Sequence, residues 1–106
     1  MSGIAVVMTT ASSQEEGSRI ARALVDRRLA ACVNVVPGVI STYRWKGAVH
    51  TEPEWMLVIK TRADRFDAVR LAIRELHSYE LPELVMVDVA AADPAYLAWI
   101  DESIAL

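Results

Sequence analysis

The chain opens on a short apolar run rich in β-branched residues, Ile4-Ala5-Val6-Val7-Met8, which reads as a buried strand. Polar residues then cluster as Ser13-Gln14-Glu15-Glu16, the S-x-x-E form of a capping box. Beyond it Ile20, Ala21, Leu24 and Val25 recur at helical spacing with charged residues between them. Arg27 and Arg28 fall in the last turn of this helix, where cations favour the negative end of its dipole.

The middle of the chain predicts two long strands folded back at Lys46-Gly47. The first runs from Cys32 to Trp45, 14 residues, which would span roughly 46 Å at ~3.3 Å per residue. Ordinary strands have about 5 to 6 residues. Pro37-Gly38 interrupts this arm and marks a bulge or bend. A ribbon that overshoots its own domain exposes hydrogen-bonding edges, which must be blunted or paired. Charge along it is sparse, so pairing with other copies of the chain is expected.

A second helix is expected to start at Thr61-Arg62-Ala63-Asp64, with Phe66, Val69, Ile73 and Leu76 forming an apolar stripe. Leu84 to Val89 reads as a strand entered through Pro82. Asp93-Pro94 supplies an N-cap and a proline at the first helical position of a short last helix, docked through Tyr96, Leu97, Ile100 and Ile104. The order strand, helix, strand, strand, helix, strand, helix is that of an α+β, ferredoxin-like βαββαβ sandwich with a long β-hairpin and a short C-terminal helix. Its helices lie on one sheet face, so the other face needs cover.

Composition sharpens this picture. A chain of 106 residues is expected to form one domain, spanning residues 1–106. Its 54% hydrophobic content is more than so small a domain can bury alone, which points to a subunit interface. The net charge is −3 and the 11 Lys and Arg residues are scattered, against a nucleic-acid partner. No apolar run reaches the ~18 residues of a membrane span. The apolar stretch within Met1 to Thr10 lacks the basic region of a signal peptide. With a single cysteine, the expected setting is the cytoplasm.

Several segments, taken together, resemble the CutA divalent-cation-tolerance family: Leu29-Ala30-Ala31-Cys32-Val33-Asn34-Val35-Val36-Pro37-Gly38, Tyr43-Arg44-Trp45-Lys46-Gly47, Ile59-Lys60-Thr61, His77-Ser78-Tyr79-Glu80-Leu81-Pro82-Glu83 and Tyr96-Leu97-Ala98-Trp99. The resemblance implies a ferredoxin-like subunit, a homotrimer joined through its strands, an architecture like the PII signalling proteins, and a link to tolerance of divalent metals, copper especially. The family pattern usually reads His-Pro-Tyr where this chain has His77-Ser78-Tyr79. The metal ligands proposed for some bacterial members, a cysteine on the first strand and two adjacent histidines, match Thr9, Leu76 and His77, of which only His77 is a good ligand.

His77, followed by Tyr79, Glu80 and Glu83, is the candidate ligand for copper or another divalent cation; the plain alternative is a histidine capping its helix. His50, beyond the hairpin turn, is expected to be solvent-exposed and offers only an adventitious site. Cys32 has no base close in sequence and reads as a buried structural thiol, or as a soft ligand if a trimer neighbour brings His77 to it. Arg44 and Lys60 sit in the hairpin strands. Lys60 either faces an inter-subunit cleft and meets Glu83 or an anionic ligand, or forms a cross-strand or inter-subunit salt bridge. Trp45, Trp55 and Trp99 read as interface anchors.

Conventional enzyme signatures are missing, and with four glycines no phosphate cradle is visible. Acylphosphatase chemistry would need an arginine in the loop after the first strand, and Thr9 to Ser13 has none. The leading expectation is a non-enzymatic trimer that binds a metal ion or small ligand at subunit clefts, with no organic cofactor. A PII-like scaffold acting through a protein partner, and an enzyme built on Cys32, Lys60 and Glu83, are the alternatives.

Overall fold

The computed structural model describes residues 2–105; Met1 and Leu106, the ends of the expected domain, lie outside the described residues. The elements are β1 (Ile4–Ala11), α1 (Gln14–Asp26), β2 (Cys32–Trp45), β3 (Ala48–Arg62), a 3-10 turn (Ala63–Arg65), α2 (Phe66–Leu76), β4 (Val85–Asp88) and α3 (Pro94–Ile104). All strand pairs are antiparallel, in the order β2-β3-β1-β4. This is the expected α+β, ferredoxin-like arrangement.

Alternation along the strands sorts the sheet into two faces. Val7 of β1, Leu57 and Ile59 of β3, Ile20 and Leu24 of α1, and Val69 and Ile73 of α2 are fully buried together, so both helices cover one face. Removing a side chain of this size from water contributes about 1.5–3 kcal/mol. Gly17 lets α1 approach closely, because a Cβ there would stand 3.3 Å from Val35 Cγ1 and 3.4 Å from Leu57 Cδ1.

The other face carries Val6, Met8, Val36, Met56, Val58, Val85 and Val87, with Cys32, Asn34 and Lys60 among them. Val36, Val85 and Val87 are 42–48% exposed. Among the described residues, one end of this face is covered by the chain itself. There Ile100 and Ile104 of α3 bury themselves against Ile4 and Ala31.

The ribbon follows its expected bounds. Lys46 (φ 50°) and Gly47 (φ 82°) both lie in the left-handed region, as a two-residue hairpin turn matched to strand twist requires. Val36 pairs with Met56 and Val39 with Glu54, so Pro37 and Gly38 together oppose Trp55 in a bulge. Past it the ribbon leaves the core, with Ile40 65% and Val49 60% exposed, and the molecule measures 44 × 25 × 23 Å.

Some local expectations are corrected. β1 continues past Met8 to Ala11, while Leu84 and Val89 flank β4 without joining it. Thr61 and Arg62 end β3 and do not start a helix: Thr61 is buried and its Oγ1 donates to Leu29 O at 2.6 Å. α1 stops at Asp26, so neither arginine lies in its last turn. Arg28 adopts φ 57° and Nη1 donates to Ser103 O and Ala105 O, at the negative end of α3 instead. Val25 is 40% exposed, Ala21 half-buried and Tyr96 40% exposed, so the docking faces of α1 and α3 are narrower than the periodicity suggested. Asp93 precedes α3 without a side-chain cap bond, whereas Pro94 holds the expected first helical position.

Candidate functional site

α2 gives way at His77, whose backbone turns extended (φ −84°, ψ 142°) and carries the chain across the sheet. The His77 ring is completely buried. Nε2 lies 2.6 Å from Thr10 O, and Nδ1 accepts the Tyr79 N–H at 3.0 Å. Since a carbonyl can only accept, the ring proton sits on Nε2 and both nitrogens are used inside the fold. A cation could take either ring nitrogen only by breaking one of these bonds.

Glu16 anchors the same crossing. Its N–H is capped by Ser13 Oγ at 3.1 Å, as the sequence predicts. Its carboxylate, however, does not close the box on Ser13. Oε1 accepts from Ser12 N and Ser12 Oγ, both at 3.2 Å, and Oε2 accepts the Ser78 N–H at 2.8 Å. Burial alone would raise this carboxyl, but the hydrogen bonds from Ser78 and Ser12 outweigh it and hold the pKa at about 2. Nothing in the sequence signals this role, because Ser78 lies 62 positions away.

With its start fixed by Glu16 and His77, the segment of residues 78–83 forms one wall of a cleft of about 720 Å³. Thr10 of β1, Ser41, Thr42, Tyr43 and Trp45 of β2, and Glu54 of β3 form the rest. Glu54 is only 8% exposed, and Tyr79 donates its hydroxyl to Glu54 Oε2 at 2.7 Å. Tyr79 packs on His77 with ring centroids 4.5 Å apart. Burial first, then the bond to Glu54, raises the Tyr79 phenol above its ordinary range. Burial and then the Glu54 charge push Glu83 up. Tyr43 donates to Glu52 Oε1 at 2.8 Å, and this bond leads the rise of its own phenol. The lining contains three carboxylates and no basic side chain.

The structure brings Tyr79, Glu80, Glu83 and Trp45 of the expected site residues together here, and adds Tyr43 and Glu54. His77 stands behind the wall as its support. Cys32 and Lys60 are cross-strand partners on the open sheet face, and Lys60 pairs with Val6 on β1, four residues from Thr10. That is about 14 Å along the sheet at ~3.4 Å per residue. Lys60 Nζ donates to Asn34 Oδ1, and Cys32 is half-buried, less enclosed than expected. Alternation places Arg44 on the opposite ribbon face from Tyr43 and Trp45, where it is exposed.

Of the other tryptophans, Trp55 is half-buried beside Ala11, and Trp99 is 43% exposed on α3. His50 is half-buried, with Nδ1 3.8 Å from Glu52 Oε1 and its ring stacked on Tyr43. Leu76 packs against the core, and Thr9 is buried with its Oγ1 unpartnered. Among the described residues no group of three His, Cys, Asp or Glu side chains converges on a metal position. No described helix is long and apolar enough to cross a membrane.

Sheet order, ribbon and terminal helix define a ferredoxin-like α+β protein with an extended hairpin. Residues 5–103 match the family described as CutA1 divalent ion tolerance protein, and the chain belongs to that family. It is 43% identical over 98 residues to the divalent-cation tolerance protein CutA of Thermus thermophilus, covering 92% of this chain and 95% of that one. A rice relative, Protein CutA 1, chloroplastic, shares 39% identity, and the match spans 55% of its length. The crystal structure of CutA from Xylella fastidiosa superposes with a TM-score of 0.93 at 40% identity, covering 96% of this chain and 98% of that one.

Proposed function

We propose that this protein serves divalent-cation tolerance as a non-enzymatic trimer that binds a cation or small ligand in the cleft between the hairpin and residues 78–83. The observation that carries the reading is Glu54, a carboxylate 8% exposed, set beside Tyr79 and Glu83 in a cleft whose nearest described ammonium, Lys46, pairs with Glu80 at the rim. Glu54 shares one carboxylate oxygen with Tyr79 and has no cationic partner among the described residues, which favours a positively charged occupant.

A divalent ion there would find the carboxylate oxygens of Glu54 and Glu83 from one subunit, which are hard donors. Copper, which prefers nitrogen and sulfur, would need ligands from a neighbouring subunit, since Cys32 and His77 lie apart within one chain. Trimer formation is supported by the apolar open face and by a ribbon that leaves its own core. The cytoplasm is the proposed compartment, on the single cysteine.

Calorimetric titration of metal-stripped protein with copper and with zinc tests the reading, beside Glu54→Gln and His77→Ala, with mass measured by light scattering. Saturation in a trimer, lost in Glu54→Gln, is the expected result. Weak binding that both variants leave intact would mean adventitious sites and would overturn it.

A further inference from the structure

We infer that the cleft takes an organic ammonium ion, held by carboxylates and aromatic faces, in preference to a bare metal ion. This rests on the cleft being the binding site proposed above and names the class of its ligand.

Three observations converge. The first is size. At about 720 Å³ the cleft falls in the range of small-molecule pockets, about 300–1,000 Å³. A lone divalent ion would fill a small part of it, and no three His, Cys, Asp or Glu side chains of the described residues gather around one point.

The second is the wall chemistry. Tyr43, Trp45 and Tyr79 line the cleft together with Glu54 and Glu83. Aromatic faces attract cations through the ring quadrupole, and a ring-lined pocket with a carboxylate is the general solution for alkylated ammonium groups. Tyr79 engages Glu54 Oε2, and no donor among the described residues takes the other carboxylate oxygen.

The third is that the chain places an ammonium of its own at the rim. Lys46 Nζ stands 5.5 Å from the Trp45 ring centroid and 3.6 Å from Glu80 Oε2, between an aromatic face and a carboxylate. The cleft repeats that pairing at larger scale, with Glu54 buried where Glu80 is exposed.

The test uses the assembled protein with two probes of nearly equal shape, choline chloride and its uncharged isostere 3,3-dimethylbutan-1-ol. Binding is read by calorimetry and by the indole N–H resonance of Trp45. Choline should saturate and bind roughly 10-fold tighter than the alcohol, in line with cation–π strengths. Glu54→Gln and Trp45→Leu should each weaken choline roughly 10-fold. Trp45 sits on the ribbon outside the core, so this variant keeps the question answerable if Glu54→Gln fails to fold.

Equal binding of the two probes, or choline binding unchanged in both variants, would overturn the inference. Copper or zinc shifting the Trp45 signal while choline does not would overturn the ammonium assignment and leave the cleft as a metal site. Silence towards all probes, as when a neighbouring subunit fills the cleft, would overturn both.

Discussion

The Glu16 carboxylate accepts the backbone N–H of Ser78 at 2.8 Å, joining the first turn of α1 to the segment that leaves α2. One side chain thereby holds Ser12, just ahead of its own helix, and fixes the start of the cleft wall.

Glu16→Gln should therefore destabilise the protein by about 2 kcal/mol at pH 7, as hydrogen bonds to a charged group are lost. The folded pKa, about 2, lies below the ordinary 4.5, so the stabilisation is complete above pH 4.5 and is lost as pH falls towards 2. Urea unfolding of both proteins at pH 7 and near pH 2 checks this. A gap that stays constant with pH would show that the charge plays no part.

His77→Ala should cost about 3 kcal/mol, because it opens a cavity and leaves Thr10 O and the Tyr79 N–H without partners. If His77 acts on the cleft only as support, ligand affinity should fall together with order in residues 78–83. Hydrogen exchange of the Tyr79 amide, measured beside the titration, reads that order directly.

Thr9 carries a buried hydroxyl without a partner. Thr9→Val keeps the shape and removes the unsatisfied oxygen, so it should stabilise by about 1 kcal/mol. Thermal and urea melts suffice. A loss of stability would reveal a hidden partner for Oγ1.

Coupled folding and assembly make a prediction without mutation. If the open face and ribbon are buried between subunits, the melting temperature should rise with protein concentration. Calorimetric scans over a hundredfold concentration range, where trimer and monomer exchange, would show it; a constant midpoint would contradict shared burial.

Much of the fold was legible because it rests on local rules. The capping serine, the Val69 and Ile73 stripe, the two-residue turn and the Pro37-Gly38 bulge each follow from a few neighbouring residues. Less was legible where distant parts meet. Arg28 was assigned to its own helix end, and only the packing of α3 shows which carbonyls it reaches. In the cleft, Tyr79 and Glu83 were legible from their motif. Glu54 was not, since its burial comes from a segment 25 residues further on. Likewise His77 was marked as a ligand by residue type, whereas the use of both its nitrogens depends on strand register.

Lys46 holds a left-handed conformation that glycine or asparagine would adopt with less strain. A side chain there is opposed by roughly 1 kcal/mol of backbone energy, and its exposed pairing with Glu80 returns at most about that much. The turn is thus locally frustrated. Glycine in place of Lys46 would ease the ribbon's tip while untying it from residues 78–83, so two neighbouring parts of the molecule would answer one substitution in opposite directions. A turn chosen for stability alone would not carry that conflict; here the end of the hairpin is tuned to what lies beside it.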